Sequence, residues 1–158
     1  MKNKTLYVLT EDLSFFYNLN KELNNLKIKF KILNFDWKIP NISCIIITTN
    51  KEYERIKNKV SKKVLILVFN ENENFDYFII KILASYRVGY DKNYSSLIFT
   101  IDPGAKHFGL VIFLDEYFLI SYTIYEKEDL IERIKQYVAA LQENNIELIG
   151  LNLSLIHI

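Results

Sequence analysis

The chain has 158 residues, half of them hydrophobic and 15% aromatic, with only four glycines and two prolines. That is enough apolar surface for one ordinary domain or two small ones, and it excludes a disordered polypeptide. The 20 basic and 19 acidic residues nearly cancel, so no broad positive field holds phosphate backbones, and a nucleic-acid partner has to be gripped locally.

The single cysteine, Cys44, sits in the apolar run Cys44-Ile45-Ile46-Ile47, which excludes a disulfide framework and a cysteine zinc site and fits a cytoplasmic home. Met1-Lys2-Asn3-Lys4 has a signal-like charge, but Thr10, Glu11 and Asp12 cut the apolar stretch behind it, so no export signal is expected. Apolar runs such as Val64 to Phe69 and Gly109 to Leu114 span about six residues where a membrane helix needs about 20, so no membrane partner is expected.

In chain order, Leu6 to Leu9 reads as a strand. A helix follows, with Leu13, Phe16, Leu19, Leu23 and Leu26 at helical spacing. Thr10 is the expected N-cap, with Glu11 and Asp12 in the first turn, where carboxylates favour the positive end of the helix dipole. Ile28 to Leu33 alternates apolar residues with Lys27, Lys29 and Lys31, the period-2 pattern of a half-exposed edge strand.

A loop holding Trp37 and Pro40 precedes a buried strand over Ser43 to Thr49. Lys51 to Lys59 reads as a short helix with Tyr53 and Ile56 inward, and Val64 to Phe69 as another strand. Phe75, Phe78, Ile79, Ile82, Leu83 and Tyr86 form the strongest helical pattern in the chain. Such alternation predicts a small parallel β/α domain over residues 1–90, Rossmann-like or receiver-like in outline.

The polar interval Val88 to Ser96 marks the expected boundary. Beyond it, Ser96 to Ile101, Gly109 to Leu114 and Phe118 to Ile124 read as strands, the last two joined by the polar turn Asp115-Glu116-Tyr117. Leu130, Ile134, Tyr137, Val138 and Leu141 mark one helix face, and Ile146 to Leu151 reads as a fourth strand. The order over residues 96–152 is β-β-β-α-β within an α/β fold class.

The segment Ile98-Phe99-Thr100-Ile101-Asp102-Pro103-Gly104, with four residues between Gly104 and Gly109, resembles the first strand and turn of RuvC-like nucleases and their YqgF relatives in the ribonuclease-H superfamily. The resemblance covers roughly Leu97 to Asn152 and implies a partial ribonuclease-H-like domain, in which Asp102 binds a catalytic Mg2+. The physical reading agrees, because an aspartate at the carboxyl end of a central strand projects from a rigid apolar element into the crevice where ligands collect. Gly104 lets the backbone turn without a Cβ, Pro103 favours leaving the ladder, and Gly109 is expected to admit a close backbone approach.

Metal-dependent phosphodiester cleavage needs several carboxylates. Asp115 and Glu116 are expected at the far turn of the hairpin, roughly 20 Å from Asp102, as solvated turn residues. The family's second acidic ligand falls at the end of the fourth strand, where this sequence has Gly150-Leu151-Asn152. Asn152 offers a neutral amide oxygen to a metal and no charge. Lys106 and His107 lie in the loop beside Asp102, in reach of a phosphate of a nucleic-acid substrate.

Two further features have plainer readings. Lys57, Lys59, Lys62 and Lys63 lie among Glu52 and Glu54 and read as a solvated surface. Glu11 and Asp12 follow the first strand as the acidic pair of response-regulator receivers does, but Thr48, Thr49 and Asn50 stand where a receiver needs its phosphoacceptor aspartate.

The family's last acidic residues have no counterpart before Ile158, so the domain is expected to be truncated and inactive as given. Leu153-Ser154-Leu155-Ile156-His157-Ile158 matches one translated frame of a transposon end used in sequencing-library preparation, and residues 153–158 are expected to be a non-native tail. The expected full-length protein is a magnesium-dependent nuclease or nucleic-acid-processing protein. The alternatives are a fragment of an actin/hexokinase-type nucleotide-binding ATPase and a non-catalytic binding module of the same fold.

Overall fold

The computed structural model describes residues 5–89, 94–141 and 147–152. The residues 153–158 of the expected tail lie outside them. The fold is mixed α/β, and the chain divides into two compact units inside one helix, between Ile82 and Leu83.

The first unit has β1 (Thr5–Val8), α1 (Leu13–Asn25), β2 (Phe30–Ile32), β3 (Cys44–Thr49), α2 (Asn50–Ile56), β4 (Val64–Phe69) and the start of α3 (Phe75–Arg87). All its strands run parallel in the order β2-β1-β3-β4. The chain therefore winds outward in both directions from β1 and β3, and their carboxyl ends form a topological switch point.

Because side chains alternate along a strand, one sheet face carries Leu9, Cys44 and Ile46 against Ile56 of α2. The opposite face meets α1 and α3 through a cluster of four rings: Phe15 stacks on Phe69 at 5.1 Å and lies tilted 6.2 Å from Phe78, and Phe69 meets Phe75 edge-on at 5.6 Å. Leu19 and Leu23 of α1 are fully buried. Each such side chain contributes about 1.5–3 kcal/mol relative to exposure, so burial of this stripe rather than helix propensity holds α1 in place.

Helix ends differ from the sequence reading in two places. The N-cap of α1 is Asp12, whose Oδ1 accepts from the Phe15 amide at 2.9 Å, while Thr10 Oγ1 accepts from the Asp12 amide at 3.1 Å. The helix thus starts two residues later than a Thr10 cap predicts, because the aspartate has its own N3 donor. At the other end Lys27 takes φ 55°, and the Ile28 amide bonds Leu23 O at 2.8 Å, closing the helix with a Schellman turn. Ile28 is thereby used to seal the helix against Leu23, and β2 is left with three residues.

The second unit holds the end of α3 with β5 (Ser96–Pro103), β6 (Phe108–Leu114), β7 (Tyr117–Ile124), α4 (Lys127–Leu141) and β8 (Glu147–Asn152). Its sheet has the order β7-β6-β5-β8; β5, β6 and β7 form an antiparallel meander and β8 joins β5 in parallel. Leu97, Phe99, Leu110, Ile112 and Leu114 are buried, the alternation expected of a sheet covered on one face. Among the described residues no helix is long and apolar enough to cross a membrane.

Candidate functional site

The sequence motif lies at the carboxyl end of β5. Asp102 pairs across the ladder with Gly109 and Pro103 with Phe108, so the strand stays paired through its proline. On the other side Ile101 pairs with Asn152, the last residue of β8. The carboxyl ends of β5 and β8 therefore meet, and Asp102 stands one residue beyond that pair.

The turn after Asp102 depends on Gly104. Its amide donates to Asp102 O at 3.1 Å and to His107 O at 3.0 Å, and a Cβ there would come within 2.8 Å of His107 O, a backbone atom that cannot swing aside. Gly109 is different. A Cβ at that position would sit 3.5 Å from Asp102 Cβ, an ordinary contact, so the expected close backbone approach is absent and the glycine serves to leave the flank of Asp102 bare.

Asp102, Lys106 and His107 are all exposed, and among the described residues no hydrogen bond or ion pair reaches the Asp102 carboxylate. The His107 ring lies edge-on to Tyr125 at 6.2 Å. Continuing the Asp102–Gly109 row one strand further reaches Thr123, which lines a cleft of about 460 Å³ with Tyr122, Tyr125, Asp129, Glu132 and Arg133. Inside it Arg133 lies over the Tyr122 ring at 4.8 Å, and Tyr122 shares a 2.7 Å hydrogen bond with Tyr137, whose phenol is pushed up by burial.

Asp115 sits at the opposite end of the sheet, where its amide bonds Ser96 O at 2.9 Å. From Ser96 to Asp102 the strand rises about 20 Å, so Asp115 and Glu116 are far from the β5 terminus. Asp115 is not a merely solvated turn residue, however. At φ 50° it aims Oδ1 at the amides of Ser95 and Ser96, at 3.1 and 2.8 Å, and at both their hydroxyls. Burial alone would raise its carboxyl pKa, but those four donors outweigh it and hold the pKa below the usual carboxylate range. The turn itself is two residues, Asp115 and Glu116, with Tyr117 already in β7.

Among the described residues no three His, Cys, Asp or Glu side chains gather where a metal could be held. Asp102 supplies one negative charge, and a lone carboxylate does not fit a resident Mg2+, which dehydrates reluctantly and needs further anionic ligands.

The first unit holds a carboxylate that the sequence reading missed. Glu52, expected on a solvated surface, is only 7% exposed at the switch point between β1 and β3. Its Oε1 accepts from the Glu11 amide at 2.5 Å, and its Oε2 accepts from the Thr49 hydroxyl at 2.8 Å and the Thr49 amide at 3.3 Å. Desolvation would raise its pKa, yet hydrogen bonds from Glu11, Thr10 and Thr49 prevail and lower it. Above it Glu11 pairs with Arg55 at 2.7 Å, and the Arg55 guanidinium covers Phe35 at 3.8 Å. The position where doubly wound sheets bind anions is thus occupied by the protein's own carboxylate. The Glu11–Asp12 pair is used for an ion pair and a helix cap. Thr49 carries a hint of this, since Thr-x-x-Glu is the capping-box pattern at a helix start.

No protein family and no curated protein matches the chain. Two crystal structures from Aquifex aeolicus, the type II variant of its Ppx/GppA phosphatase and another structure of the Ppx/GppA family member, align with 89% of this chain at 10% identity. Their TM-scores are 0.20 and 0.19. The chain spans 49% and 48% of those proteins, and likeness this slight carries no argument about fold or chemistry.

Proposed function

We propose that residues 96–152 are the opening of a ribonuclease-H-like fold of the RuvC type, and that Asp102 is the first acidic position of a nucleic-acid-processing site that needs further carboxylates to work. The observation supporting this reading is the parallel entry of β8 beside β5, which brings the β8 terminus to the Ile101–Asn152 pair next to Asp102. In this reading Gly104 shapes the loop, and Lys106 and His107 face the phosphates of a DNA or RNA strand. Mg2+, when held by a complete set of acids, would polarise a phosphate oxygen and activate water. The chain by itself cleaves neither DNA nor RNA.

Asn152 favours a second reading, a module that keeps the fold and binds nucleic acid without cutting it. The experiment that separates the two is a magnesium-dependent cleavage assay on branched, duplex and single-stranded substrates. It is run with this chain, with a longer version bearing further acidic residues, and with Asp102→Asn in each. Cleavage by the longer version that vanishes in Asp102→Asn supports the nuclease. Binding without cleavage in both supports the module. Cleavage by this chain, lost in its own Asp102→Asn variant, contradicts the claim that its site is incomplete, and cleavage indifferent to Asp102→Asn removes Asp102 from the chemistry. Amide shifts around Asp102 on adding Mg2+ and ATP would move the protein to the nucleotide-binding class.

A further inference from the structure

The first sheet has two edges, and they are built differently. β2, at one edge, is three residues long and sits beside Lys27 and Lys29 with Lys31 within it, a short charged edge that resists pairing with another strand. β4, at the other, is Val64-Leu65-Ile66-Leu67-Val68-Phe69: six residues without a charge, a glycine or a proline. It pairs only with β3 among the described residues, so a row of backbone amides and carbonyls faces outward. Every residue of β4 is partly exposed, while every residue of β3, one strand inward, is buried. Nothing in β4 carries the charge, bulge or proline by which natural edges are blunted.

We propose that the outer edge of β4 is a strand-pairing surface whose occupant is a second copy of this chain, joined antiparallel about a two-fold axis at Leu67. A two-fold axis normal to a sheet sets a residue opposite its own counterpart, so the register follows from the centre. Centred on Leu67, Ile66 faces Val68 of the other copy and Leu65 faces Phe69, apolar against apolar, while Val64 faces Asn70 just past the strand end. Carried one position further, into the turns that flank the strand, the same register directs Lys63 of each copy toward Glu71 of the other. The charges brought face to face are therefore opposite in sign, and the contact occurs twice. Glu71 is held near its place by Lys51, both side chains being well exposed, and Lys63 is exposed as well. The same operation on β2 would bring lysines together, which is why the second copy is assigned to β4.

The test is sedimentation of the whole chain over a range of concentrations, for the natural sequence, Lys63→Glu, Glu71→Lys and an equimolar mixture of the two variants. Both substitutions lie on exposed side chains outside the strand, and circular dichroism checks that each variant is folded. The natural chain should double its mass with rising concentration. Each variant alone places like charges at both contacts and should weaken the dimer about tenfold, since like charges directly opposite destabilise a strand pair and the contact occurs twice. The mixture restores opposite charges at both contacts and should recover association as a heterodimer. Concentration-dependent protection of the β4 amides from hydrogen exchange should accompany it. A chain that stays monomeric, a dimer indifferent to both variants, a mixture that fails to recover, or open-ended growth in place of a closed pair would each overturn the proposal.

Discussion

Glu52 and Asp102 both lie where strands end at their carboxyl edge, yet one is enclosed by donors and the other bare. Glu52 is enclosed by the Glu11 amide and by the amide and hydroxyl of Thr49, and Arg55 with Glu11 lies across the rim. Asp102 has an exposed carboxylate, a glycine where a cross-strand side chain would cover it, and a turn fixed by another glycine. A buried carboxylate whose two oxygens are both engaged by protein donors is architecture. One held on a rigid strand end with its lone pairs free is available to a ligand.

The sharpest way to break this comparison is to remove each carboxylate and follow unfolding by urea. Glu52→Ala leaves buried donors unpaired and should cost about 3 kcal/mol. The same change at Asp102 should leave stability within about 0.5 kcal/mol. Equal losses at the two positions would erase the distinction.

Next in size is Gly104→Ala. The added Cβ meets His107 O at 2.8 Å, so the loop must shift, and a loss of about 1–2 kcal/mol is expected with displaced amide signals from Asp102 to Phe108. Gly109→Ala, with its ordinary 3.5 Å contact, should cost less and would act by covering the flank of Asp102.

Acid sharpens the contrast further. The Glu52 pKa is lowered in the folded protein, so its ionised form stabilises the fold fully above the unfolded carboxyl value, about 4.3, and that contribution is lost as pH falls through the folded value. The stability gap between the natural chain and Glu52→Gln should be widest near neutral pH and close in acid, as read from urea midpoints at successive pH values. A gap that persists undiminished in acid would mean the charge of Glu52 is not what its donors hold.

Much of this arrangement is legible in the sequence because it rests on periodicity. Alternating strand and helix patterns give the parallel sheet, and Asp-Pro-Gly after an apolar run gives the end of β5. What escapes depends on partners far away in the chain or on unusual residues at ordinary places. Glu52, set among lysines on a short helix, reads as surface because its donor, the Glu11 amide, is 41 residues away and is brought near only by the β1–β3 pairing. Lys27 closes α1 in a conformation that glycine usually takes, so Ile28 looks like the first residue of a strand. Asp115 reads as a polar turn, and only the antiparallel register shows that it clamps the start of β5. Asn152 is legible as a departure from the resembled family, and its place opposite Ile101 comes from the β8 register.

The smallest effect on stability accompanies the most direct test of function. Mn2+, a paramagnetic substitute for Mg2+, is titrated into isotopically labelled chain while amide signals are followed by NMR. The account predicts weak binding that broadens the signals of Asp102, Gly104 and Asn152 before those of the Asp115 turn or of Glu52, and that disappears in Asp102→Asn while the fold is retained. Broadening centred on another part of the chain, or unchanged by Asp102→Asn, would contradict the assignment of Asp102 as an acidic position open to a cation.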